Sequence, residues 1–568
     1  MSICYNNMER WLLMITKDKY RSRLKVNDLV AQILELKQIP LDDAYNILYD
    51  QDKIINIDEI NEIININEAA SLFVDYLKQG RDIFVYADYD VDGMTSGTIM
   101  KRFLEQFKNY SEVYFPERSD GYGLSIDFIE KINERYKCQL KPLIITVDNG
   151  ITKVEETELC KKYNIPIIIT DHHLPQEVLP DTIIVDQHIT ESDHWAKALC
   201  GAEVALYFCR AIERALGYNY YHTNKLIYLA AIGAIADVMP MASIVNQAIV
   251  QKGFKQINDG NVPNTLRQFV KNMGSPRMNS EFVSWDLAPR LNSCARLFDI
   301  KSSIELLDIS EDAEDVCNNI EEYNNRRKEL TKKYTDIIKK AYNESYDEDC
   351  NIALVALDEA PLGILGILAG KLEDYSGLPS FVGIDDKEQL IHGSARSNSY
   401  PLNILLTGDE NVYSFGGHAA ACGFAIYNDK VEEFKQSLTD KINELAKYQV
   451  VESTRSKDDE LIYFTLSDLT KEAYNSFYLL AYDNVSFEKP KICIKDLTIT
   501  SVNISKNNDK NIKYTLFDGK KQIDFWHWGV GDLGFRQGDR VRIIGDITKN
   551  FMKPKLYTLR IDKIIKEE

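Results

Sequence analysis

Long apolar runs are missing from this 568-residue chain. No stretch approaches the roughly 20 apolar residues of a membrane-crossing helix, and the early "WLLMI" is too short and too closely flanked by charge for a secretion signal. Membrane-embedded functions are set aside and a cytoplasmic protein is expected. Paired cysteines are missing too: the ten cysteines are scattered without any C-x-x-C, and Cys138, Cys160 and Cys209 sit in helical or apolar surroundings. That excludes a disulfide scaffold, and all ten read as reduced structural residues. Positive charge is scarce, with 67 Lys plus Arg against 87 Asp plus Glu and a net charge of -20, which argues against a uniformly basic nucleic-acid binder. The deficit is uneven. From Ser501 onward 14 Lys plus Arg face 9 Asp plus Glu, so that stretch permits an anionic partner.

What the chain does have is enough apolar residues, 45%, for several packed cores, and three or four domains are expected. A helical leader, residues 1–79, mixes charged and apolar residues at helical spacing without a catalytic cluster. Strand-like segments follow, "DIFVYA", "PLIITV", "IPIIIT" and "TIIV", separated by stretches that suit helices, Met94 to Phe107 and Thr152 to Tyr163. Strands alternating with helices predict a parallel sheet covered on both faces.

Each of these strands ends in an aspartate: Asp88 with Asp90 and Asp92, then Asp148 in "VDNG", Asp171 in "TDHH", and Asp186 in "VDQH". Any one of them reads most simply as a helix cap or turn residue. Repetition at one topological point changes the balance, because ligand sites of open parallel sheets lie at the carboxyl ends of the strands. Carboxylates crowded there repel one another unless cations neutralise them, and His172 and His173 add imidazole donors. A further acid, Asp237, ends the small-residue helix "LAAIGAIADVMP". Oxygen-rich ligation with one or two imidazoles suits Mn²⁺ or Mg²⁺ better than zinc. Two such ions support phosphodiester or pyrophosphate hydrolysis.

"DYDVDG", "VDNG", "DHH" and "AIADVMP", in this order, resemble the signature motifs of the DHH phosphoesterase superfamily. "FPERSDGYGLS" and "LAPRLNSCARL" are similar to its RecJ branch of single-strand-specific exonucleases. The resemblance implies that Asp88, Asp90, Asp92, Asp148, His172 and Asp237 hold two divalent ions, Mn²⁺ or Mg²⁺. Asp148 would bridge them, and Asp148, Asp92 and His173 would carry the chemistry. Tyr86 stands where several relatives have histidine, and Asn246-Gln247 lacks an arginine often found there; Asp186, His188 and Gln247 stay outside the expected site.

The domains expected are a DHH catalytic domain at 80–310, a connecting helix at 311–345, a smaller α/β DHH-associated domain at 346–450 and a C-terminal β-barrel of OB type at 455–568. In the α/β domain, "HGSARS" and "SFGGHAAACGFAI" resemble phosphate-binding elements, which points to Ser394, Arg396, Gly416, Gly417 and His418; Arg296 is a further candidate for phosphate contact. The helix core "NNRRKELTKKYTDIIKK" reads as a solvated connecting face. In the last domain, Tyr514, Phe525, Trp526 and Trp528 alternate with Lys513, Lys520, Lys521, Arg540 and Arg542, as on single-strand-binding surfaces. Half of those aromatics should face the core, because successive strand residues point to opposite faces.

The function expected is a metal-dependent single-stranded-DNA exonuclease of 5′-to-3′ polarity, acting in recombination and repair. The resemblance also implies a monomer with no membrane, a single-stranded-DNA-binding protein and a helicase as partners. Two other readings use the same residues: a small-substrate phosphodiesterase cutting oligoribonucleotides or cyclic dinucleotides, and a catalytically inactive nucleic-acid-binding scaffold. Retention of every motif acid and both histidines argues against the second.

Overall fold

The computed structural model describes residues 19–56, 61–118, 121–274, 278–308, 312–447, 461–483, 487–504, 511–528, 531–549 and 556–567. Their contacts divide them into two compact units. One gathers residues of 1–60, 238–255 and 453–568; the other is formed by 61–237 and 256–452. The stretch read as a single leader, 1–79, therefore contributes to both, and its first 18 residues lie outside the described ones. Among the described residues no helix is long and apolar enough to cross a membrane.

The larger unit holds, after the helix Ile66–Lys78, a five-stranded parallel sheet of order β2-β1-β3-β4-β5: β1 (Ile83–Tyr86), β2 (Ser111–Tyr114), β3 (Leu143–Val147), β4 (Ile167–Thr170) and β5 (Ile183–Val185). β1, β3 and β4 are buried throughout, as near-continuous Ile/Val runs must be when helices cover both faces. The apolar run identifies those strands in sequence, whereas β2, "SEVY", is a half-buried edge without such a run. Strand order reverses between β1 and β3, which makes the loops after them the topological switch point where ligands bind. The helix after β1, Val91–Leu104, starts three residues before the expected Met94 because Asp90 caps it, accepting the Gly93 N–H at 3.1 Å. Two more buried helices, Gly201–Ala215 and Ile227–Ala236, cover the same region.

A 32-residue helix, Ala313–Glu344, about 48 Å long, leads to a second sheet of order β6-β7-β8-β10-β9. Its strands are β6 (Ala353–Leu357), β7 (Ser380–Asp385), β8 (Leu390–Arg396), β9 (Val412–His418) and β10 (Ala421–Tyr427). β6 and β7 are parallel, joined through the helix Leu365–Ser376, and the other pairs are antiparallel.

In the smaller unit β12 (Lys491–Ile504), β13 (Ile512–Phe517), β14 (Gln522–His527), β15 (Arg540–Lys549) and β16 (Tyr557–Lys566) form an antiparallel sheet of order β14-β13-β12-β15-β16, and β11 (Leu461–Phe464) adds in parallel to β12. The Thr558 hydroxyl donates to the Asp524 carbonyl at 3.2 Å, which draws the two end strands together as in a barrel. Gln247, at the position where the resemblance leads one to look for arginine, has a different task. Its buried amide donates to the carbonyls of Met241 and Ala481, at 2.8 and 2.7 Å, and accepts the Ala481 N–H at 3.0 Å. A buried amide satisfied on three sides is a structural clamp.

Candidate functional site

The loops after β1, β3 and β4 bring their acids together. Asp88 and Asp92 are buried, and Asp90 is partly exposed at the helix start. Asp92 is held by two backbone donors at the start of the Gly201–Ala215 helix: the Gly201 N–H on Oδ2 at 2.6 Å and the Ala202 N–H on Oδ1 at 3.0 Å. A helix N-terminus favours such a negative charge. Close approach explains two glycines here. A Cβ on Gly201 would lie 2.4 Å from Asp148 Oδ1, and one on Gly233 would lie 2.5 Å from Asp92 Oδ1.

Asp148 has φ of +62°, a left-handed conformation that side chains other than Asn, Asp and Gly adopt at a cost. Its neighbour fixes the turn: Asn149 donates to the carbonyls of Tyr86 and Val147 and accepts the Leu124 N–H.

His172 Nε2 lies 3.1 Å from Asp148 Oδ1 and 3.7 Å from both Asp92 Oδ2 and Asp237 Oδ2. Three sets of donor atoms fall within 4.8 Å of one another: Asp148, His172 and His173; Asp92, His172 and Asp237; and Asp88, Asp90 and Asp148. Asp148 belongs to a set with His172 and to a set with Asp88 and Asp90, the position that a shared ligand requires. Asp171 stays outside these sets and organises the histidines. It accepts the backbone N–H groups of Ile151, His172 and His173, and its Oδ1 lies 2.7 Å from His173 Nδ1. Burial alone would raise Asp171, yet His173 and these donors hold it down at about 2. Metal-site histidines are commonly oriented by such a carboxylate. Asp186 instead caps the turn Gln187–Ile189, accepting the His188 N–H at 2.8 Å.

The acids cannot all be charged without help. Burial first, then neighbouring carboxylates, pushes Asp88 and Asp237 up to about 8, Asp92 to about 6 and Asp148 well above the usual carboxylate range. Oδ1 of Asp88 is buried without a hydrogen-bond partner. An orphaned oxygen, like-charge crowding and an oxygen-rich donor set with imidazole fit hard divalent cations.

A second cluster has the opposite sign. Arg296 ends the helix Ala288–Arg296 and donates to the Gly363 carbonyl at 2.5 Å. Burial first, then Arg118, Arg396 and Arg327, pulls its pKa down to about 9. Arg118 lies over the Tyr89 ring at 4.2 Å, and the Nε atoms of Arg118 and Arg327 are buried without a hydrogen-bond partner. None of the ion pairs among the described residues involves any of these four arginines. Sequence reading singles out Arg296 and Arg396. It leaves Arg118 unassigned inside "FPERSDGYGLS" and takes Arg327 for part of a solvated helix face. Tyr122 is another residue it passes over: the hydroxyl lies 3.2 Å from each ring nitrogen of His173.

The second sheet aligns the remaining candidates. Register pairs Ser394 with Gly423 and Gly423 with Gly416; one row further, Arg396 pairs with Ala421 and Ala421 with His418. Ser394, Arg396, Gly416 and His418 therefore occupy one sheet face, although the His418 side chain lies outside the described residues. A Cβ on Gly416 would meet nothing within 4 Å, so this glycine leaves open floor rather than answering to internal packing. Gly417 differs, with φ of +136° and a Cβ that would lie 2.6 Å from the Ala421 carbonyl oxygen; the hairpin itself demands glycine there.

Residues 82–234 match the DHH family, N-terminal domain, and residues 350–445 match the DHHA1 domain. Among curated proteins, the chain is 29% identical to the single-stranded-DNA-specific exonuclease RecJ of Bacillus subtilis over 560 residues, 95% of this chain and 69% of that protein. It is 28% identical to RecJ of Haemophilus influenzae over 424 residues, 68% of this chain and 71% of that protein. Among solved structures, RecJ of Thermus thermophilus in complex with Mn²⁺ covers 98% of this chain and 78% of its own, with a TM-score of 0.75 at 21% identity, a likeness of fold. A manganese-bound exonuclease RecJ covers 67% of this chain and 95% of its own, with a TM-score of 0.56 at 26% identity.

Proposed function

From the match of residues 82–234 to the DHH family, N-terminal domain, and of residues 350–445 to the DHHA1 domain, we propose that the chain is a DHH-family, metal-dependent exonuclease hydrolysing the phosphodiester bonds of single-stranded DNA. The observation that carries the reading is the pairing, within one compact unit, of a carboxylate–histidine cluster that needs cations with an arginine cluster that needs an anion. The curated relative from Bacillus subtilis supports a long strand as substrate, since its match extends over 95% of the chain rather than over the two DHH-type domains alone.

Asp88, Asp90, Asp92, Asp148, His172 and Asp237 would hold two divalent cations, Mn²⁺ or Mg²⁺. Bound there, such ions lower the pKa of water and neutralise charge on a phosphoryl group. The protein's own residues do the rest. Asp171 orients His173, whose ring, with the Tyr122 hydroxyl beside it, would donate to a phosphate oxygen. Arg118, Arg296 and Arg396 bind phosphate; guanidinium groups suit it because their donors are arranged in a planar fork. Ser394 and the open floor at Gly416 receive the sugar-phosphate chain as it leads away.

We further propose 5′-to-3′ polarity, action as a monomer, and recruitment by a single-stranded-DNA-binding protein and a helicase in recombination and repair. A cytoplasmic setting is supported by the nine described cysteines, all of which are free thiols.

Single strands labelled at either end, incubated with Mn²⁺, Mg²⁺ or chelator, test this reading. Early release of the 5′ label, dependent on metal and lost in Asp148→Asn, is expected. Early release of the 3′ label would overturn the polarity. Turnover of dinucleotides with none of long strands would move the enzyme to the small-substrate class.

A further inference from the structure

Strand alternation sorts the four aromatics of the C-terminal sheet. Tyr514 and Phe525 are fully buried and pair with each other across β13 and β14. Trp526 has the opposite orientation, and Trp528, 53% exposed, follows two residues later on the same side. Residues two apart on a strand are separated by about 6.6 Å. The two indoles nevertheless lie with centroids 4.9 Å apart and planes within 16°, so they lean together into a stack.

The neighbours of this stack are polar. Lys513 pairs with Trp526, and Asn503 pairs with Lys513. In the next row Ser501 donates to the Thr515 hydroxyl at 2.8 Å, and Thr515 donates to Asp524 Oδ1 at 2.9 Å. Lys513 Nζ lies 3.1 Å from Asp524 Oδ2. An indole stack framed by an amide, hydroxyls and an ammonium group offers a π-face and a cation together, in the stretch whose Lys and Arg outnumber its acids by 14 to 9.

We propose that the Trp526–Trp528 stack is a base-stacking platform that takes one unpaired base of a nucleic-acid strand, with Lys513 reaching the adjoining phosphate. The inference rests on the exonuclease reading and gives its C-terminal sheet a defined contact. Stacking is tolerant of sequence, because every base has a π-face, but it demands a base free of its duplex neighbours. The platform therefore selects single strands over duplexes. Asp524 works against it by neutralising Lys513.

The test uses the full chain in chelator, so that strands are bound and not cut, with a fluorescently labelled oligothymidylate as probe. Trp528→Ala and Trp526→Ala are each expected to weaken binding about 30-fold, the middle of the range for one stacked base. Trp528→Phe should recover part of the loss, and Asp524→Asn should tighten binding. Loss of the exciton signal of the indole pair in circular dichroism, with the melting temperature kept, shows that the alanine variants fold. Unchanged affinity in both alanine variants overturns the platform, even if the native chain digests strands; loss of a protein partner instead would give the surface to that partner. Equal affinity of the native chain for duplex and single strand overturns the selection. Tryptophan-dependent binding by a chain that cuts nothing in Mn²⁺ would uphold the platform and sink the exonuclease reading.

Discussion

Two clusters in the larger unit are mirror images in charge. Around Asp88, Asp92, Asp148 and Asp237 the fold crowds carboxylates, and their proton affinities rise in response. Around Arg118, Arg296, Arg327 and Arg396 it crowds guanidinium groups, and Arg296 loses affinity for its proton. Opposite charges so placed would ordinarily be paired off as salt bridges. Among the described residues no such bridge joins the two clusters. On the proposed reading each serves a ligand, cations for one and a phosphate for the other, because charge drawn out of water and not offset by its opposite is costly.

The largest effect is expected from removing a shared acid. Asp148→Asn should lower strand cleavage by about 10³-fold or more, since groups acting as one catalytic unit fail together. If the carboxylates are mutually repelling, the same substitution should raise the melting temperature of the metal-free protein; a fall would break the symmetry between the clusters. On the positive side, Arg296→Met should weaken binding of a single strand by about 10- to 100-fold, in line with losing a charged hydrogen bond, and should flatten the dependence of affinity on salt. Binding that is unaffected, measured by anisotropy in chelator, would leave the arginines without a ligand. Asp171→Asn is expected to cost about tenfold in rate through a misplaced His173 while strand affinity holds, which a split between kcat and KM would show.

The smallest effect is thermodynamic and concerns pH. Asp88 and Asp237 titrate at about 8 in the folded chain but at about 4 when unfolded, so the native state binds more protons between these limits. Their contribution to stability is full below about pH 4 and is lost as pH rises towards 8. Melting curves in chelator should fall over that window, and added Mn²⁺ should restore the loss most strongly at its upper end. A flat profile would mean that the acids are not crowded in solution.

These clusters are unequally legible in the sequence. The acids follow strand after strand, so a period and a fold rule bring them together before any coordinates exist. The arginines come from the loop at Arg118, the end of one helix at Arg296, the middle of another at Arg327 and the strand β8 at Arg396. No local pattern links four such places, and Arg327 sits in a helix whose composition reads as solvated. The aromatics are half legible: alternation says that half are buried, and the structure assigns Tyr514 and Phe525 to the core. Gln247 shows the reverse limit, since its departure from the expected arginine makes sense only beside Met241 and Ala481.

The left-handed backbone at Asp148 bears on how this gene could change. A single base change turns an aspartate codon into one for asparagine or for glycine, and these residues hold that conformation readily. Either change removes the carboxylate and spares the turn. On the proposed reading of Asp148 as a shared metal ligand, a folded descendant that grips strands without cutting them would lie one mutation away.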